Sequence, residues 1–142
     1  MVAAPAGAAT IRHYSSEAAA ARGLPFSQAV EVQGILYLSG QIGVLPGSME
    51  LAPGGIRAEA RQAMENIGAV LRARGLDFSD VFKCTVMLAD MDEWAAFNEV
   101  YVRYFEEGAY PARSAFGASG LALGGRLEIE CMAAMREAPT AD

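Results

Sequence analysis

The chain has 142 residues, the size of one domain that can bury most of its apolar surface without disulfides or a structural metal. Its formal net charge is −6, Lys83 is the only lysine, and the arginines form no stripe, which argues against nonspecific nucleic-acid binding. No stretch reaches the ~18 apolar residues of a membrane span, and MVAAPAGAAT lacks the basic start and leucine-rich centre of a secretory signal, so a cytoplasmic protein with reduced thiols is expected.

Residues 1–9 and 137–142 are Ala/Pro/Thr/Asp-rich and read as tails around a single domain at 10–136. A short strand fits Ile11–Tyr14. Residues 28–39 read as two strands joined at Gln33-Gly34, with Val30, Val32, Ile35 and Tyr37 as β-formers. The glycines and prolines of 43–55 mark a loop. A helix follows over 56–74. Ile56, Ala60, Ala63, Met64, Ile67, Val70 and Leu71 recur at steps of three and four, and Gly75 stands where a left-handed C-cap belongs.

Residues 80–88 are rich in β-formers and read as a strand. Asp90 opens a second helix, with Glu93 at the spacing of reciprocal capping. Trp94, Phe97, Tyr101, Tyr104 and Phe105 recur at helical spacing and are assigned to its buried face. Gly108 and Pro111 end that helix. Strands at 112–119 and 126–135 close the domain. The order β-β-α-β-α-β-β, with one more short strand, makes an α+β fold: one mixed sheet of five to six strands with two helices on one face. The other face then needs a cover, and a hydrophobic content of 53% fits a buried subunit interface.

Chemistry-bearing residues are few. Cys84 and Cys131 lie in apolar runs and read as buried free thiols, with no CxxC partner and only His13 as a distant imidazole. The two-residue period of 126–135 sends Glu128, Glu130 and Met132 to one side, and that of 112–119 groups Arg113, Ala115 and Gly117. If the two strands pair with Arg113 and Glu128 on one face, a cation meets a carboxylate there, as a structural ion pair or as a site. Ser39-Gly40 ends a strand and either binds a ligand or caps a turn. Asn98 sits mid-helix beside aromatics, where it holds a loop or faces a pocket. Dinucleotide, Walker, HExxH and nucleophile-elbow motifs are absent.

Five segments in succession resemble the RidA/YjgF family: Pro25-Phe26-Ser27-Gln28-Ala29-Val30, Leu38-Ser39-Gly40-Gln41-Ile42, Asn98-Glu99-Val100-Tyr101, Pro111-Ala112-Arg113-Ser114 and Leu127-Glu128-Ile129-Glu130. The resemblance runs from about Ser27 to Met135. It implies a chorismate-mutase-like homotrimer whose sheets line a central barrel, with active sites between subunits. It implies cofactor-free hydrolysis of 2-imino acids to 2-keto acids and ammonia. Carried over, Arg113 pairs with the substrate carboxylate, Glu128 holds or activates water, and Ser39, Gly40 and Asn98 line the pocket. Phe26 and Ala115 stand where many members have tyrosine and cysteine, so the resemblance implies a more apolar pocket here. The alternatives are a trimer that binds ligands or acts as a chaperone without turnover, an RNA-cleaving protein, and a catabolic enamine or aminoacrylate hydrolase.

Overall fold

The structure is a computed structural model that describes residues 7–137, so most of the tails expected at 1–9 and 137–142 lies outside the described residues. Its first hairpin joins β2 (Ala29–Val32) to β3 (Ile35–Leu38). Gln33 and Gly34 occupy the turn at φ 49° and 78°. Two successive positive φ values match the right-handed twist of the flanking strands, and glycine adopts one without strain. The hairpin pairs Ala29 with Leu38 and Val32 with Ile35. β1 (Ile11–Tyr14), the further short strand expected there, pairs with β2 on the outer side of the hairpin.

Between β1 and β2 lies a five-residue helix, α1 (Glu17–Ala21), which sequence patterning did not anticipate. Ser16 caps it by accepting from Ala19 N. The long helix α2 (Ile56–Ala73) ends at a Schellman turn. Leu76 N–H donates to the Leu71 carbonyl, Gly75 N–H donates to that of Arg72, and Gly75 takes a φ of 73°. β4 (Val81–Leu88), α3 (Trp94–Tyr101), β5 (Ala112–Gly117) and β6 (Leu127–Ala134) follow, within a few residues of the expected bounds.

The strands form one sheet in the order β1-β2-β3-β6-β4-β5. Among the described strands only β4 and β5 are parallel, and α3 lies in the connection between them. β6 shows the period-two pattern: Leu127, Ile129, Cys131 and Ala133 are buried, while the alternate residues are half-buried or exposed. The buried side chains join Cys84, Val86 and Leu88 of β4, Ile67 and Leu71 of α2, and Phe97 of α3 in one core. Truncating such a side chain, Phe97 for example, costs about 3–5 kcal/mol.

Three expectations are corrected. Cys84 and Cys131, fully buried and register partners on β4 and β6, are joined as a disulfide and are not free thiols. Their spacing in sequence gave no sign of this, because adjacency of β4 and β6 is a property of topology. Glu93 does not close a capping box on Asp90. Asp90 caps a 3-10 turn at Met91–Glu93 through Asp92 N, while the Glu93 carboxylate accepts from Arg126 at 2.6 Å. A charged partner on the neighbouring segment outcompetes a backbone amide. Trp94, at the first turn of α3, is 45% exposed, whereas Phe97 and Tyr101 are buried.

Among the described residues, the sheet face away from α2 and α3 has no cover. Tyr37, Met132 and Lys83 lie in one row across it, and Phe116, Met87 and Glu128 in another. Half of Phe116 and 39% of Tyr37 are exposed. The expectation of a sheet covered on one side holds, and the bare side mixes apolar residues with charge.

Candidate functional site

The expected residues gather in two clusters. The first lies where the chain leaves β3. Ser39 N–H donates to the Gln28 carbonyl at 2.9 Å, and Ser39 Oγ donates to the Ser27 carbonyl at 2.6 Å. Phe26, the neighbour of Ser27, is 57% exposed. Gln41 then exchanges two backbone hydrogen bonds with Ile129 of β6, at 2.8 and 3.0 Å. In this antiparallel pairing Gly40 lies diagonal to Glu128, the residue before Ile129, and the Glu128 side chain runs over it. A Cβ added at Gly40 would overlap Glu128 Oε1 and lie 2.9 Å from its Cδ. Glycine is therefore required for the carboxylate to rest there. Among the described residues Glu128 has no hydrogen-bond or ion-pair partner from a side chain, so its oxygens are free to accept from water or substrate.

The start of β6 is held firmly. Arg126 N–H donates to Oε1 of Glu59, a carboxylate only 5% exposed on α2. The Arg126 guanidinium reaches Glu93 as well. These bonds fix the strand two residues before Glu128.

The second cluster lies on β5, at the sheet edge. Arg113 Nη1 donates to Asn98 Oδ1 at 2.7 Å. Its Cζ stands 4.7 Å from the ring centroid of Tyr101 and 5.7 Å from that of Phe97, close enough for cation–π attraction. Asn98 and both aromatics come from α3, so one helix face fixes the guanidinium. Most of its five donors remain unused, and among the described residues no carboxylate lies within ion-pair distance. Ala115 follows on the same strand face, half-buried. Burial raises the Tyr101 hydroxyl above its ordinary pKa, with the charge of Arg113 opposing, and that hydroxyl has no partner among the described residues.

The shared face considered for Arg113 and Glu128 does not form. β5 pairs with β4, not with β6. Arg113 stands opposite Cys84, and Glu128 opposite Met87, three residues further along β4. An odd offset puts the two on opposite sheet faces, Arg113 toward the helices and Glu128 toward the bare side. Strand order, which no local pattern carries, decides this. The structure therefore joins Ser39, Gly40 and Glu128 in one cluster and Asn98, Arg113 and Ala115 in another, and brings no member of one to the other within a chain. Two features of the site escaped sequence reading. Gly40 as the seat of Glu128 needs the β3–β6 crossing. The Phe97/Tyr101 platform was assigned to core alone, although Asn98 between them was a local signal. Among the described residues no group of three or more His, Cys, Asp or Glu is arranged to hold a metal ion, and no helix is long and apolar enough to cross a membrane.

Comparison with known proteins agrees with this architecture. The family model described as Endoribonuclease L-PSP matches residues 16–135. A goat (Capra hircus) protein named 2-iminobutanoate/2-iminopropanoate deaminase is 48% identical over 117 residues, covering 82% of this chain and 85% of its own. The crystal structure of yeast YEO7 superposes with a TM-score of 0.82 at 38% identity, over 89% of this chain and all of the yeast one. RidA from the Antarctic bacterium Psychrobacter superposes with a TM-score of 0.74 at 42% identity, over 79% of this chain and 89% of its own. By sequence match and by fold, the chain belongs to the Endoribonuclease L-PSP family, the RidA/YjgF proteins.

Proposed function

We propose that the protein hydrolyses 2-imino acids to 2-keto acids and ammonia, at sites assembled between copies of the chain in a homotrimer. The observation that carries the reading is the pair of incomplete clusters: a guanidinium with unused donors at one sheet edge and an unpaired carboxylate on the opposite face. Each lacks what the other offers. A second copy packing its bare sheet face against the β5 edge would complete both, and rotational closure of one such contact gives a ring. The deaminase name of relatives at 48% identity supports the same chemistry.

In this reading the planar fork of Arg113 binds the substrate carboxylate, held in place by Asn98 and the aromatic platform. The protonated imine presents an electrophilic carbon. Glu128 orients a water and takes its proton as the oxygen bonds to that carbon. Return of that proton to nitrogen makes the amine a leaving group, and as the C–N bond breaks the new hydroxyl gives its proton back to Glu128, so one imine and one water give one keto acid and one ammonia. Ser39, Gly40 and Phe26 wall the Glu128 side, and Ala115 the Arg113 side. These steps ask for no cofactor. A cytoplasmic location belongs to the reading. The Cys84–Cys131 bond, fully buried, is shielded from thiol reductants. The ribonuclease activity in the family description finds less support in a chain of net charge −6.

The test is ammonia release from imino acids generated in situ by an amino-acid oxidase. Catalytic acceleration over the spontaneous hydrolysis is expected. A rate equal to the spontaneous one across small and large side chains would leave a ligand-binding trimer without turnover.

A further inference from the structure

We infer that a second small-molecule site lies on the other side of the hairpin, in a cleft of about 460 Å³ between α1, the end of α2 and the 44–47 loop, and that it takes a short aliphatic monocarboxylate. The volume falls in the range of small-ligand pockets. It contains none of Arg113, Asn98, Ser39 or Glu128.

The charge of the cleft runs against that of the chain. The protein carries 17 acidic residues, yet among the described residues none lines this cleft, while Arg22 and Arg74 both do. The Arg74 guanidinium lies over the Tyr14 ring, 4.1 Å from its centroid. Stacking of that kind fixes the plane of the fork and leaves its N–H groups pointing outward from the ring edge. Among the described residues those groups meet no acceptor. Arg22 uses one nitrogen on the Ser48 carbonyl, at 3.1 Å.

Beside His13, Gln41 and Asn66, three of the neutral polar groups are placed to donate. Ser15 Oγ accepts from Gln28 N and Ser16 Oγ accepts from Ala19 N, so each hydroxyl proton is left to point elsewhere. Gln28 Oε1 accepts from Ser16 N at 2.8 Å, so only the amide NH₂ of that side chain is unspent. Two guanidinium groups and three neutral donors thus border one cavity, and each of the three neutral groups already accepts one backbone hydrogen bond. An anion satisfies such a set; a cation does not. Leu45, Val70, Ala69 and Ala73 supply the remaining wall, which gives a short apolar chain a place beside the charged end. That combination selects a carboxylate with an aliphatic tail over inorganic phosphate.

Titration of the 15N-labelled full chain with sodium butyrate tests the site. Saturable amide shifts at Ser15, Ser16 and Gln28 are expected, with no response to butylammonium. Arg74→Gln and, separately, the more exposed Arg22→Gln should each weaken butyrate binding about tenfold, as loss of one charge-assisted contact does. Arg113→Ala should leave it unchanged, which separates this site from the proposed catalytic one. Phosphate binding as tightly as butyrate would overturn the assignment. So would shifts that move to the Arg113 or Glu128 regions, or butyrate binding unaffected in both arginine variants.

Discussion

Gly40→Ala is the most informative substitution at the Glu128 cluster, because the structure fixes what it displaces. The Gly40 backbone lies outside the left-handed region, so alanine is tolerated there and the methyl group is the whole perturbation. That methyl would overlap Glu128 Oε1 and stand 2.9 Å from Cδ and 3.1 Å from Cγ. The backbone at Gln41 is pinned to Ile129 by two hydrogen bonds, so the side chain has to yield. Swinging a glutamate away from its preferred rotamer costs about 0.5–1.5 kcal/mol. Replacing glycine with alanine offsets roughly 0.4–1 kcal/mol of that through the unfolded chain. Stability should therefore stay within about 1 kcal/mol of the wild type. Activity should not, since an oriented general base contributes about 10²–10⁴-fold. We expect kcat for imine hydrolysis to fall by about 10²-fold with a melting transition displaced by no more than a few degrees. The double variant Gly40→Ala/Glu128→Gln should be no slower than Glu128→Gln alone, because both changes act on one group. Wild-type kcat in Gly40→Ala, or fully additive losses in the double variant, would refute the reasoning.

Arg113→Ala should lose the charge-assisted contact to substrate, about 1.5–3 kcal/mol in kcat/KM, with Arg113→Lys recovering only part because the fork is gone; steady-state kinetics on one imino acid checks both. The apolar side chains of Phe26 and Ala115 should let imines of leucine or methionine react at least as well as that of alanine, with discrimination of roughly 1–3 kcal/mol per methylene. Phe26→Tyr should shift the preference toward the small substrate, and an unchanged ranking would show that Phe26 only packs. The Tyr104 hydroxyl is pushed up to about 12 from 10.0, mainly by burial and then by its bond to Glu65 at 2.9 Å. A raised folded-state value means stability that is complete below the unfolded value near 10.0 and is lost as pH rises from there through about 12. Denaturant titrations at stepped alkaline pH should show that loss in the wild type and a shallower one in Tyr104→Phe.

Much of this fold was legible because its elements carry local signatures. Gln33-Gly34 between β-formers gave the hairpin, the steps from Ile56 to Leu71 gave α2, and the alternation of 127–134 gave the two faces of β6. Residues whose partners are distant in sequence were not legible. The Cys84–Cys131 bond, the offset between Arg113 and Glu128, and the seat of Glu128 beneath Gly40 all follow from β6 inserting between β3 and β4. No pattern within a window of ten residues encodes that insertion. Arg113 and Glu128 were named as site residues through family resemblance, and only the sheet register shows them to be members of separate clusters.

The central claim is that Arg113 of one copy works with Glu128 of another, and mixed assemblies test it most directly. Arg113→Ala and Glu128→Gln would each be purified as impaired protein, unfolded together, refolded as a mixture and assayed for ammonia release. If each site draws one residue from each of two neighbouring copies, random assembly leaves about a quarter of the sites with both residues intact. The account therefore expects the mixture to recover about a quarter of wild-type activity while each variant alone stays at its own residual level. A mixture as inactive as its components, with co-assembly confirmed by mass spectrometry, would contradict it.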